Sequence, residues 1–156
     1  MIRLIAALAP LAIAGCTYGS GGPPPLPPLA ENRNQPAAAL AEHVLSDHFA
    51  RQAGNADVPT TCISVAAPAL NARQEQALIA RFPRLAPLER CQGSGGNSDA
   101  ITGERAEVLR IEAFSCSNGD TCSGWVATPD GANARYVMRW GIGGWRFVRD
   151  TEPGAR

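Results

Sequence analysis

Lysine is missing from this chain: all 14 basic residues are arginine, and they balance 14 acidic ones, so the formal net charge is zero. No global field therefore draws the protein toward nucleic acid or anionic lipid, and no nucleic-acid partner is expected. The missing lysine, beside abundant Ala, Gly and Pro, reads as GC-rich codon usage. No apolar run reaches the roughly 20 residues that a membrane-spanning helix needs. The sequence signatures of common catalytic sites are missing too: there is no Gly-x-Ser-x-Gly elbow, no His-Glu-x-x-His, no Walker A sequence and no Cys-x-x-Cys. The only two histidines, His43 and His48, do not have the His-x-x-x-His spacing that grips a metal from one helix face. These absences lead us to expect no cofactor, no metal and no catalysis.

What is present starts with the leader. Arg3 is followed by an apolar run from Leu4 to Ile13, interrupted only by Pro10. That is about half the length of a membrane span and suits the h-region of a signal peptide. The stretch Leu11-Ala12-Ile13-Ala14-Gly15-Cys16 then resembles the lipobox of bacterial lipoproteins, with an aliphatic residue three places before the cysteine and small residues between. The resemblance implies that residues 1–15 are removed and that Cys16 is acylated as the mature N-terminus. Two or more acyl chains, at about 0.8 kcal/mol per buried CH₂, make such an anchor stable. Thr17 stands where an Asp would favour retention at the inner membrane, so the resemblance implies an outer-membrane anchor facing the periplasm.

The lipobox also accounts for an odd cysteine count. Of five cysteines, Cys16 is committed to lipid, which leaves Cys62, Cys91, Cys116 and Cys122 as an even set in an oxidising compartment. Three connectivities are open, and local geometry favours one. If Asn118-Gly119-Asp120 forms a three-residue hairpin loop, with Gly119 or Asp120 at positive φ, then Ser117 faces Thr121 and Cys116 faces Cys122. Cys62 then pairs with Cys91. Loop entropy assigns roughly 3 to 4 kcal/mol to the longer bridge and roughly 2 to the shorter.

Residues 16–35 read as a disordered Gly- and Pro-rich linker that holds the remainder up to roughly 60 Å from the membrane. Residues 36–150 read as a single domain and 151–156 as a flexible tail. Pro36 suits the first position of a helix running to about Ala53, with Gly54 as its stop. Leu40, Val44, Leu45 and Phe49 lie on one face, His48 adjoins it, and His43 and Asp47 are spaced for a surface pair. Thr60 to Val65 reads as a short strand. Asn71 and Gln74 form a capping-box signature for a second helix that carries Leu78, Ile79 and Phe82 and stops at Pro83. Gln92 to Asp99 reads as a flexible loop without phosphate-binding spacing.

From Glu104 onward the pattern changes to strands and tight turns: Glu104 to Cys116, Cys122 to Thr128, Ala134 to Trp140 and Trp145 to Arg149. Val108, Leu109 and Ile111 break strict alternation and predict a bulge or two-sided burial. The expected fold is therefore α+β, with two helices packed on a four-stranded antiparallel meander and a short extra strand between the helices. This layout, with its closing Gly143-Gly144-Trp145, loosely resembles small NTF2-like or cystatin-like domains.

Tyr136, Met138 and Trp140 share one face of their strand, and Trp125 is a candidate to join them as core or as a pocket lining. On the other face Arg135, Arg139 and Arg146, with Arg110, outline a basic strip that Glu107 and Glu112 are placed to neutralise. The sequence thus leads to a lipid-anchored, non-catalytic envelope module that binds a protein or cell-wall partner. The alternative is a small-molecule-binding or enzymatic domain whose pocket is built from the aromatic set.

Overall fold

The computed structural model describes residues 27–92 and 97–150. The leader, Cys16, the first part of the expected linker and the expected tail lie outside the described residues. Two helices, α1 (Pro36–Arg51) and α2 (Ala72–Arg81), and five strands, β1 (Thr60–Val65), β2 (Ala106–Asn118), β3 (Thr121–Ala127), β4 (Asn133–Gly141) and β5 (Gly144–Asp150), form an α+β domain. Short 3-10 turns at Leu29–Glu31 and Leu88–Gln92 complete it.

The strands form one five-stranded sheet in chain order. The expected four-stranded meander is corrected in one respect: the short strand between the helices joins it, because β1 pairs parallel with β2, from Thr60 opposite Ala106 to Val65 opposite Ile111. A parallel pair needs a crossover connection, and the segment carrying α2 supplies it. β1 is buried on both faces, with Thr61 and Ile63 toward the helices and Cys62 on the opposite side. Its outer edge is closed by the chain after α2, where Thr61 N donates to Arg84 O and Ala86 N donates to Thr61 O.

α1 presents Leu40, Ala41, Val44 and Leu45 to the inner sheet face, where Leu109, Ile111, Val126, Tyr136 and Met138 complete the core. Close approach requires Gly124 in β3: a Cβ there would sit 3.0 Å from Leu40 Cδ2 and 3.1 Å from Phe114 Cδ2. α1 ends at Arg51, two residues before the expected Ala53, and Gly54 takes the positive φ of 94°. The Asn71–Gln74 capping box opens α2 as its spacing predicts, and the helix stops before Pro83.

The bulge expected in β2 is at Ala113, with φ 49° and a register shift between Glu112 and Ser115. Before it Leu109 and Ile111 point inward; after it Phe114 does. The hairpin between β2 and β3 differs from expectation. Asn118 pairs with Thr121, leaving a two-residue loop, and neither Gly119 nor Asp120 has positive φ. A second register shift between Cys116 and Asn118 absorbs the extra residue, so Cys116 still faces Cys122. Both disulfides form, Cys62–Cys91 and Cys116–Cys122.

The linker does not run to residue 35. From Pro27 the chain is packed on the domain: Leu29 touches the core, Ala30 N donates to Glu42 Oε2 at 3.1 Å, and Trp145 Nε1 donates to Asn32 O at 3.1 Å. Arg81 Nη2 donates to Pro27 O, and Arg33 pairs with Asp120 at 2.6 Å. Composition marks this stretch as loop, but one leucine and a few satisfied backbone groups are enough to dock it.

Candidate functional site

Of the aromatic set expected as core or pocket lining, Tyr136, Met138 and Trp140 share the inner face and Trp125 does not. Tyr136 and Met138 lie in the packed core, and Trp140 is half-buried, edge-on to Trp145 with centroids 5.5 Å apart. Trp125 sits on the opposite sheet face, 43% exposed, directly across from Arg135.

Among the described residues nothing covers that opposite face over β3, β4 and β5, and the ladder registers lay out its side chains. One row across the strands reads Glu112, Trp125, Arg135, Asp150; the next reads Ser115, Ser123, Val137, Val148; the last reads Thr121, Arg139, Arg146. Val148 is 63% exposed. The three arginines of the expected strip thus share one face, with Arg139 and Arg146 directly opposed. Among the described residues, no carboxylate lies within ion-pair distance of Arg135, Arg139 or Arg146. Glu112 shares the row of Arg135 but is separated from it by Trp125, and among the described residues it forms no ion pair with the strip. Between the first and last rows lies a shallow hollow of about 300 Å³, lined by Ser115, Ser117, Thr121, Ser123, Arg135, Val137 and the Cys116–Cys122 disulfide.

Glu107, expected to neutralise the strip, points the other way. It is buried under α1, where its Oε1 accepts from His48 Nε2 at 2.7 Å, Gln52 Nε2 at 2.9 Å and Thr61 Oγ1 at 3.2 Å. The His48 and Glu107 side chains are only 8% and 7% exposed. They lie along a cleft of about 330 Å³ whose other walls are Arg51, Gln52, Arg105, Thr128, Pro129 and Asp130. This cluster was missed in the sequence, which placed His48 only at the boundary of its helix face. Chemically, the pair is an imidazole held by a carboxylate, and it also ties the end of α1 to the sheet. His43 pairs with Asp47 at 3.7 Å as expected and stacks on Phe147 with centroids 4.2 Å apart. Burial lowers the His43 pKa, partly offset by Asp47.

Asp99, expected in a flexible loop, is fully buried. Arg90 pairs with both its oxygens, Thr60 Oγ1 donates at 2.8 Å and Ile101 N at 2.9 Å. The Arg90 guanidinium first, and the backbone donor second, hold its carboxyl well below the usual range. Asp130 is also lowered, by Thr128 and the Ala132 amide. Among the described residues no group of three His, Cys, Asp or Glu side chains is placed to hold a metal ion, and no helix is long and apolar enough to cross a membrane. In comparisons with known proteins, no family model, no curated protein and no solved structure matched this chain significantly.

Proposed function

We propose that this protein is a lipid-anchored component of a bacterial cell envelope, probing the periplasm from the outer membrane, and that it is a non-catalytic binding module whose contact surface is the open sheet face. The observation that carries the binding reading is that face: an exposed indole and three arginines that have no carboxylate partner among the described residues surround a hydroxyl-lined hollow. Exposed Trp and Arg are the residue types that dominate binding energy at interfaces. The anchor rests on Ile13-Ala14-Gly15-Cys16, supported by the even set of four remaining cysteines, all bridged. Cell fractionation tests it: the wild-type chain is expected in the membrane pellet with an acylated N-terminal peptide, and Cys16→Ser in neither state. A Cys16→Ser chain that is processed normally and still sediments with membranes removes the anchor. With no lysine in the chain, amine-reactive cross-linkers find no side chain, so partners are sought with a photoreactive side chain at Val148.

One observation favours a second reading as a small-molecule-binding or enzymatic domain. It is the His48–Glu107 pair beside its cleft, since a paired imidazole in a concave site is a common base. The open-face reading is preferred because Glu107 Oε1 is already saturated by three donors.

A further inference from the structure

Three features of the open face converge on one kind of occupant. The first is the opposition of Arg139 and Arg146 across β4 and β5. Like charges directly opposite in a sheet destabilise it, and here no carboxylate among the described residues offsets them. An anion between the two guanidinium forks removes that repulsion and accepts bidentate hydrogen bonds. The second is Trp125, whose exposed ring lies beside Arg135 in a row where the two carboxylates of Glu112 and Asp150 outnumber the one guanidinium, which leaves Arg139 and Arg146 as the cationic end of the face. The third is the hollow between them, where Ser115, Ser117, Thr121 and Ser123 supply hydroxyls that both donate and accept. Arg135 and Arg139 are four residues apart on β4, which at about 3.4 Å per residue sets the two cationic positions about 14 Å apart along the strand.

Resting on the reading of this face as the contact surface, we infer that its ligand is an anionic saccharide chain. One acidic group seats between Arg139 and Arg146, a ring occupies the hydroxyl-lined hollow, and a further ring packs its apolar C–H face on Trp125 near Arg135. A protein partner fits less well. A stable protein interface buries about 800 Å² per side around an apolar centre. Here the apolar part is small: Val137 and Val148 are directly opposed, Trp125 lies one row away, and serines and arginines flank all three. Nucleic acid, which is bound mainly through many phosphate contacts, lacks a counterpart in a chain of zero net charge.

The test is affinity electrophoresis of the full-length chain in neutral detergent, through gels containing dextran, dextran phosphate, alginate or DNA. Retardation by alginate or dextran phosphate but not by dextran is expected, and which of the two acts identifies the acidic group as carboxylate or phosphate. Arg139→Ala/Arg146→Ala is expected to weaken binding at least 10-fold and Trp125→Ala several-fold. Arg73→Ala, at an exposed position on α2, is expected to change nothing. Thermal melts of the same samples confirm folding, and none of these exposed side chains belongs to the core. Three outcomes overturn the inference: no retardation by either charged polymer, retardation by DNA as strong as by the saccharides, or equal losses for Arg73→Ala and the double variant. Capture of an acidic protein at Val148 together with no saccharide binding also overturns it. Fractionation stands apart: a chain that binds saccharide but is not membrane-bound sinks the anchor alone, and an anchored chain that binds none sinks this inference alone.

Discussion

Removing the carboxylate of Glu107 tests whether the end of α1 is held to the sheet by counted hydrogen bonds. In Glu107→Ala, His48 Nε2, Gln52 Nε2 and Thr61 Oγ1 lose their shared acceptor. A buried donor left without a partner costs roughly 1 to 3 kcal/mol. His48 and Thr61 are buried and bear this cost, whereas Gln52 is half-buried and can turn to water. For two donors the expected loss is therefore about 2 to 6 kcal/mol, a large share of the roughly 5 to 15 that holds such a domain together. Glu107→Gln keeps an acceptor oxygen at the same place, while it gives up the charge and turns the second oxygen, which accepts none of these three bonds, into an amide donor, so about 1 kcal/mol is expected. Urea unfolding of the full-length chain resolves the two: at a slope of about 2 kcal/mol per molar, the alanine variant moves the midpoint down by about 2 M and the glutamine variant by about 0.5 M. Losses within about 1 kcal/mol of wild type for Glu107→Ala, or equal losses for both, refute the acceptor argument.

Two further outcomes are expected. Gly144→Ala places a Cβ 2.5 Å from the Ala30 carbonyl oxygen at φ 119°, while Gly143→Ala, at φ 87°, meets nothing within 4 Å. The first is expected to cost about 2 to 4 kcal/mol and the second about 1 to 2, from backbone strain alone. Equal melting temperatures for both variants show that residues 27–35 are not packed as described. Asp99 has a depressed folded pKa, so the stability it contributes is present above its unfolded value of 3.8 and lost as pH falls through the folded one. The stability gap between wild type and Asp99→Asn should be level from about pH 7 to pH 5 and narrow in stronger acid. A gap at pH 3 as wide as at pH 7 contradicts the Arg90 pairing.

The elements legible in the sequence are those written locally. The Asn71 and Gln74 cap, the stop at Gly54, the turn residues of the last two connections and the β2 irregularity each depend on neighbours a few positions away. The cysteine pairing was legible from the nearness of Cys116 and Cys122 across a hairpin, although a two-residue loop and a second register shift, not the expected three-residue loop, set them opposite each other. What was not legible depends on distant partners. The parallel pairing of β1 joins Cys62 to Val108 across a whole crossover, and nothing local marks it. Glu107 lies among apolar residues, and a glutamate there is read outward because charged groups are rarely buried unpaired. Its partner His48 is 59 positions earlier. Trp125 is a candidate for core or pocket lining from its type alone, although strand parity alongside Val126 and Gly124 puts it outside. The open arginine face was legible, since Arg135 and Arg139 alternate with core residues along one strand.

The single inserted residue Ala113 sets the phase of everything after it in β2. With uninterrupted alternation, Ser115 would be turned under α1 and Phe114 thrust into solvent. Because one alanine is set aside at φ 49°, the aromatic ring instead closes against Gly124 while Ser115 comes to lie opposite Ser123. Forcing Ala113 into regular extended backbone would therefore exchange the chemistry of the two sheet surfaces as far as the next register shift, leaving the hollow greasy and the interior wet, whereas deleting it would remove the bulge and keep Phe114 inside and Ser115 outside.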